Sequence, residues 1–179
     1  MMFVDGENLT IRAEKRCAKL NQQIENLAAF YRPQTCFWPK AFDALQVHWS
    51  NDQRLASESE RSYYYTATKG SNETINEIRD QLLLHRFSPV VFKKANKDKK
   101  AKGVDICLTK DMLVHAFAKN YDTAVLVAGD GDYVPVVEEV KRCGRQVFVV
   151  FFDSAEDGLN PELRRAADRF LPLRLVDNR

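Results

Sequence analysis

The chain has 179 residues, 45% of them hydrophobic and 29% charged, with a formal net charge of +2. A chain of this length buries well over half of its unfolded surface, so it needs neither a disulfide scaffold nor a structural metal to fold. The near-neutral total excludes a globally basic nucleic-acid binder, no apolar run reaches the roughly 20 residues of a membrane-spanning helix, and no basic-then-apolar leader opens the chain; the expected compartment is the cytosol, with no membrane partner.

Met1-Met2-Phe3-Val4 is a short apolar run ending in Asp5-Gly6-Glu7-Asn8. It reads as a buried strand opening into a turn. Helix formers follow from Leu9 to about Tyr31, with Leu20, Ile24, Leu27 and Ala28 at helical spacing and Pro33 as the stop. Between 33 and 60 the pattern is weak: Phe42, Leu45 and Trp49 are spaced for a short helix, and Ser57-Glu58-Ser59-Glu60 for a polar turn. Tyr63-Tyr64-Tyr65-Thr66 favours a strand, whose rings either alternate into the core or stack on bases. Residues 72–87 carry Ile75, Ile78, Leu82 and Leu83 as a helix, and Pro89-Val90-Val91-Phe92 is a strand.

That strand runs into a basic loop. Residues 93–102 hold six lysines and one aspartate, a local charge of +5 that leaves −3 for the rest of the chain. Residues 104–119 read as a helix with Val104, Cys107, Leu108, Met112 and Ala116 on or near one face. Thr123 to Ala128 is an uninterrupted apolar strand ending at Gly129-Asp130-Gly131-Asp132. A helix from Tyr133 to Cys143 closes at Gly144, Gln146 to Phe152 is another apolar strand, Pro161 to Phe170 a helix, and Leu173-Leu175-Val176 a last short strand. Cys17, Cys36, Cys107 and Cys143 have no zinc-ligand spacing and read as reduced, buried thiols.

Strands that are apolar throughout and alternate with helices mean a parallel sheet covered on both faces. The expected fold is α/β: a three-layer α/β/α Rossmann-like arrangement with a mostly parallel central sheet of five to six strands. Sites in such sheets form at the carboxyl ends of strands, where the winding reverses. Asp5 ends one strand and Asp130 and Asp132 follow another, while Asp105 begins the helix after the lysine loop. Each aspartate alone is explained as a turn residue or helix cap, and Asp132 is placed to cap the helix at Tyr133. Together they form an acidic group whose mutual repulsion a magnesium or manganese ion would relieve. Such an ion activates water and neutralises phosphate charge. Asn8 adds a neutral polar group beside Asp5. Asp111, six positions beyond Asp105, lies about 120° around the helix, where it either reaches the edge of the site or faces solvent. His48, His85 and His115 show no ligand spacing, and His115 reads as a helix-surface residue.

Phe3-Val4-Asp5-Gly6-Glu7-Asn8-Leu9, Lys102-Gly103-Val104-Asp105, Asp111-Met112-Leu113 and Val125-Leu126-Val127-Ala128-Gly129-Asp130-Gly131-Asp132-Tyr133-Val134-Pro135 together resemble the NYN domain, and more narrowly its LabA-like branch within the PIN-like nuclease superfamily. The tail, with Ser154, Leu163, Ala167-Asp168 and Phe170, is also similar. The resemblance runs in order along nearly the whole chain, so residues 1–179 are expected to form a single domain of that type, with an enlarged connection at 33–60 that the family does not predict. It implies a Rossmann-like sheet, a metal-binding acidic cluster and nuclease activity, usually on RNA. Residue by residue, Asp5, Asp105, Asp130 and Asp132 take the acidic, catalytic roles, with Asn8 beside Asp5. Lys102 matches the lysine before the second acid, and Ser154 the polar residue after the fifth strand. Ala128 departs from a common serine.

The expected activity is hydrolysis of RNA phosphodiester bonds with Mg2+ or Mn2+. Lys93, Lys94, Lys97, Lys99, Lys100 and Lys102 are expected to contact backbone phosphates. A non-catalytic LabA-like regulatory module, binding RNA or a protein partner, is the alternative. A phosphotransferase would need a DxDx(T/V) motif after the first strand, which Asp5-Gly6-Glu7 does not supply. The oligomeric state stays open, a homodimer included.

Overall fold

In the computed structural model the described residues are 1–24, 30–32, 35–37, 61–94 and 103–173. Six strands form one parallel sheet: β1 (Met2–Asp5), β4 (Ser62–Thr68), β5 (Phe87–Lys93), β6 (Thr123–Val127), β7 (Gln146–Phe151) and β8 (Arg169–Pro172). Their order is β5-β4-β1-β6-β7-β8, and every pairing is parallel. The chain steps outward from β1 through β4 to β5, then returns across the sheet to β6 and steps the other way. The winding therefore reverses between β1 and β6, which opens a crevice at their carboxyl ends.

Helices cover both faces. On one, α1 (Gly6–Lys19) and α2 (Asn72–Leu84) pack Leu9, Ala13, Ile78 and Leu82 against Val4, Tyr64, Val127 and Val150. On the other, α3 (Val104–Phe117) and α4 (Val134–Arg142) pack Leu108, Met112, Val137 and Val140 against Phe3, Tyr65, Leu126 and Val149. The period-2 alternation of the strands supplies the sheet side of both cores at once. That is why the central strands are apolar along their whole length. Tyr64 and Tyr65, both fully buried, point to opposite faces, so neither is available to stack on a base.

Several boundaries differ from the sequence reading. Helix α1 stops at Lys19 rather than continuing to Tyr31. Asn21 there takes a positive φ of 51°, and Phe30–Arg32 (β2) pairs antiparallel with Thr35–Phe37 (β3). Helix α2 ends at Leu84, because Arg86 turns left-handed at φ 63° and Phe87 enters the sheet. The helix after the GDGD turn begins as a 3-10 turn, Gly131–Tyr133, before α4 proper. Helix α5 covers only Pro161–Ala166. The chain then extends as β8, since the free edge of β7 offers partners: Val147 N donates to Asp168 Oδ2 at 2.8 Å, and Asp168 N to Val147 O at 2.9 Å. The last strand is thus Arg169–Pro172, ahead of the predicted Leu173-Leu175-Val176; Leu173 follows it, and 174–179 lie outside the described residues. The candidate helix around Phe42, Leu45 and Trp49, the turn at 57–60 and His48 also lie outside them. Cys17 is buried as expected, whereas Cys107 and Cys143 are only half-buried.

Candidate active site

Asp5 is the last residue of β1, at the reversal of the winding. Only 4% exposed, its carboxylate is held through both oxygens. Oδ1 accepts from Asn8 N at 2.9 Å, which caps α1, and Oδ2 accepts from the Tyr133 hydroxyl at 2.8 Å. Neither donor carries a charge. The second acid arrives from the opposite layer: Asp105, in the first turn of α3, places Oδ1 3.3 Å from the same Tyr133 hydroxyl. One phenol therefore stands between two carboxylates from distant parts of the chain.

The electrostatics follow from that burial. Loss of water around Asp5 is the dominant effect and raises its pKa from 3.8 to about 6; the Asn8 amide and the Tyr133 hydroxyl pull it down, and Asp105 and Glu7 push it up again. Tyr133 moves far above the ordinary tyrosine value, first through burial and then through the two carboxylates it faces. It is a permanent hydrogen-bond donor at any physiological pH.

The neighbouring strand end is tied to the first. Gly129 N donates to Asn8 Oδ1 at 3.1 Å, so the turn after β1 grips the turn after β6. Asp130 caps the 3-10 turn, its Oδ1 accepting from Asp132 N at 3.2 Å. The cap is thus Asp130 and not Asp132, whose side of the turn is exposed. No side chain wider than hydrogen fits at Gly129: an added Cβ would lie 2.3 Å from Phe151 Cε1 and 2.6 Å from Gly158 O.

Around this centre the other expected residues divide. Asp111 is not a solvent residue. It accepts from the Tyr65 hydroxyl at 3.0 Å and pairs with Lys110 at 3.2 Å, and Tyr65 lies directly opposite Asp5 in register. Lys94, expected to face phosphate, is turned inward with 8% exposure and forms an ion pair with Glu7. A buried ammonium requires such a partner. Lys93 remains exposed and donates to Asn72 Oδ1 at 3.2 Å. Lys97, Lys99, Lys100 and Lys102 lie outside the described residues. Ser154 Oγ accepts from Glu156 N at 3.1 Å, a bond internal to the loop after β7. His115 is more than a surface residue: its Nε2 lies 3.1 Å from the Tyr63 hydroxyl and its Nδ1 2.9 Å from Asn120 Nδ2. Among the described residues no three His, Cys, Asp or Glu side chains are grouped closely enough to hold a metal ion by themselves.

The family model described as the NYN domain matches residues 1–174. The chain belongs to the NYN domain family. NYN domains form part of the PIN-like nuclease superfamily. Among solved structures this NYN domain is similar to a Vibrio parahaemolyticus protein of unknown function, with 22% identity, a TM-score of 0.59, and coverage of 97% of this chain and 91% of the other. That likeness speaks for the fold alone. No curated protein matches the chain. No helix among the described residues is long and apolar enough to cross a membrane.

Reading the sequence of the NYN domain missed two participants. Tyr133 was visible only as the residue after GDGD, with no local signal that its ring turns back under the sheet edge to reach Asp5. The Glu7–Lys94 pair joins residues 87 positions apart, a closeness that only the parallel pairing of β1, β4 and β5 creates.

Proposed function

We propose that this NYN domain is a metal-dependent ribonuclease, acting in the cytosol and belonging to the LabA-like branch, that hydrolyses RNA phosphodiester bonds. The observation that carries the reading is the buried Asp5 carboxylate sharing one phenol with Asp105 at the point where the sheet reverses its winding.

The donor set suits a hard divalent cation. Magnesium is usually held by one or two carboxylates, with water and substrate phosphate completing its shell, rather than by a full protein cage. A buried carboxylate and a half-buried one, both meeting the uncharged Tyr133 hydroxyl, fit that pattern. In this reading Asp5 and Asp105 hold Mg2+ or Mn2+, with Asp130 as a ligand from the adjacent strand end and Asp132 as an outer or additional one. A bound cation supplies positive charge against a phosphate and acidifies water.

The rest is work for the chain's own groups. Asn8 fixes the spacing of the two strand ends by accepting from Gly129 N. Gly129, lacking a side chain, lets the turn after β6 pack under Phe151 and beside Gly158. Lys94 offsets Glu7, so the acidic surplus stays on the aspartates. Lys93, with Lys97, Lys99, Lys100 and Lys102, supplies backbone-phosphate contacts without sequence reading.

Asp130→Asn tests the reading, because asparagine keeps a cap oxygen and removes the charge. Purified parent and variant are incubated with labelled single-stranded and structured RNAs in manganese, magnesium or chelator. Parent cleavage is expected to require the cation and to fall with salt, and the variant to be slower by roughly a hundredfold or more. Equal cleavage by both sinks the metal-site assignment. RNA binding by the parent without cleavage assigns the chain to the non-catalytic, regulatory class.

A further inference from the structure

We infer that Tyr133 is a positioning residue of this site: its hydroxyl sets the spacing and orientation of the Asp5 and Asp105 carboxylates, and so sets how tightly a divalent cation binds. This rests on the metal-dependent reading above and adds to it a residue that neither the acidic pattern nor the family match assigns a role.

The geometry is specific. Tyr133 O–H lies 2.8 Å from Asp5 Oδ2 and 3.3 Å from Asp105 Oδ1, and it has one proton to share between them. Asp5 Oδ1 is already held by Asn8 N, so the phenol fixes the remaining freedom of that carboxylate. Asp105 differs: no side-chain cap bond is made at the start of α3, and among the described residues its hydrogen bond is to Tyr133. Without the phenol, two like charges from different parts of the chain would lose the hydroxyl that links them among the described residues.

Tyr133 is also firmly mounted. Its ring is 2% exposed and packs in the core between the sheet and the α3 and α4 layer. It ends the 3-10 turn that Asp130 caps. The turn carrying Asp130 and Asp132 thereby carries the clamp for Asp5 and Asp105. Partners that hydrogen-bond ligating carboxylates in this way typically account for 10–100-fold of metal affinity.

Tyr133→Phe removes the hydroxyl and keeps the buried ring, so the core is preserved. The test is manganese affinity, measured by titrating free Mn2+ against protein and following its paramagnetic resonance signal, alongside thermal melting in chelator. The expected result is cooperative melting of the variant and a manganese Kd weaker by roughly 10–100-fold. A Kd within about twofold of the parent overturns the inference, since a purely structural hydroxyl would change melting and leave affinity alone. A parent that binds no manganese instead overturns the metal-dependent reading itself. A second measurement serves if the variant does not fold: manganese added to the parent should perturb its near-ultraviolet tyrosine circular dichroism, and an unchanged spectrum at saturating manganese overturns the inference.

Discussion

Asp5 sets folding against the proposed function in a single side chain. Its carboxylate is buried, capped by Asn8 N and clasped by Tyr133, yet its folded pKa sits near 6 against 3.8 for the free group. A raised carboxylate pKa means that the native state holds the proton more tightly than the unfolded state. Stability therefore falls as pH rises from about 4 to about 6, and the cost of the charge is fully present above that window. Asp5→Asn keeps an oxygen for the cap and carries no charge. In chelator at pH 7 it should be more stable than the parent, by roughly 1–3 kcal/mol. At pH 4 the difference should vanish. Urea midpoints at the two pH values check this, and a variant equally stabilised at both would show that charge is not the cause. The same variant should lose cleavage, which separates what the fold prefers from what the chemistry needs.

At the scale of elements, the site depends on how two strand ends meet. The turn after β6 must pass close beneath Phe151 of β7 and beside Gly158, and only a glycine at 129 allows it. Gly129 N then reaches Asn8 Oδ1, locking the β6 turn to the start of α1. Gly129→Ala would push a methyl against an aromatic ring and a backbone carbonyl, neither of which can swing aside cheaply. The expected loss is about 2–3 kcal/mol, or roughly 4–10 °C in Tm, read by calorimetry. A variant that melts with the parent would show that the turn adapts. Helix α3 illustrates a second constraint: the helix that presents Asp105 to Tyr133 also presents Asp111 to Tyr65. The polar edge of its buried face is thereby matched to hydroxyls arriving from the GDGD turn and from β4.

For the molecule as a whole, charge is arranged against stability at one rim. Asp105 and Glu7 raise the cost of charging Asp5, and the inward Lys94 pairs with Glu7. A cation that binds the native state alone should stabilise by about 2.7 kcal/mol at a hundred times its Kd. In a domain of this size that is a shift of roughly 5–10 °C. Melting curves in chelator and in millimolar Mn2+ or Mg2+ measure it. No shift in the parent would contradict a cation site at this rim, and Asp130→Asn should show a smaller shift than the parent.

The sequence alone determined the layers, the parallel sheet and the strand ends where the proposed site lies. Continuous apolar strands such as Val125 to Ala128 can be satisfied only between two covering layers, and Asp5 and Asp130 stand where such strands end. Periodicity and turn chemistry are local, so they survive in a linear reading. Tertiary structure decided what no local signal records: that Phe30–Arg32 leaves the helical pattern for a hairpin, that Arg169–Pro172 leaves it for the edge of β7, that Lys94 faces inward, and that Tyr133 joins two acids 100 residues apart in the chain. Each was settled by competition for a partner across the fold, whether a strand edge, a buried counter-charge or a shared proton, and the outcome depends on which residues the packed layers bring within reach.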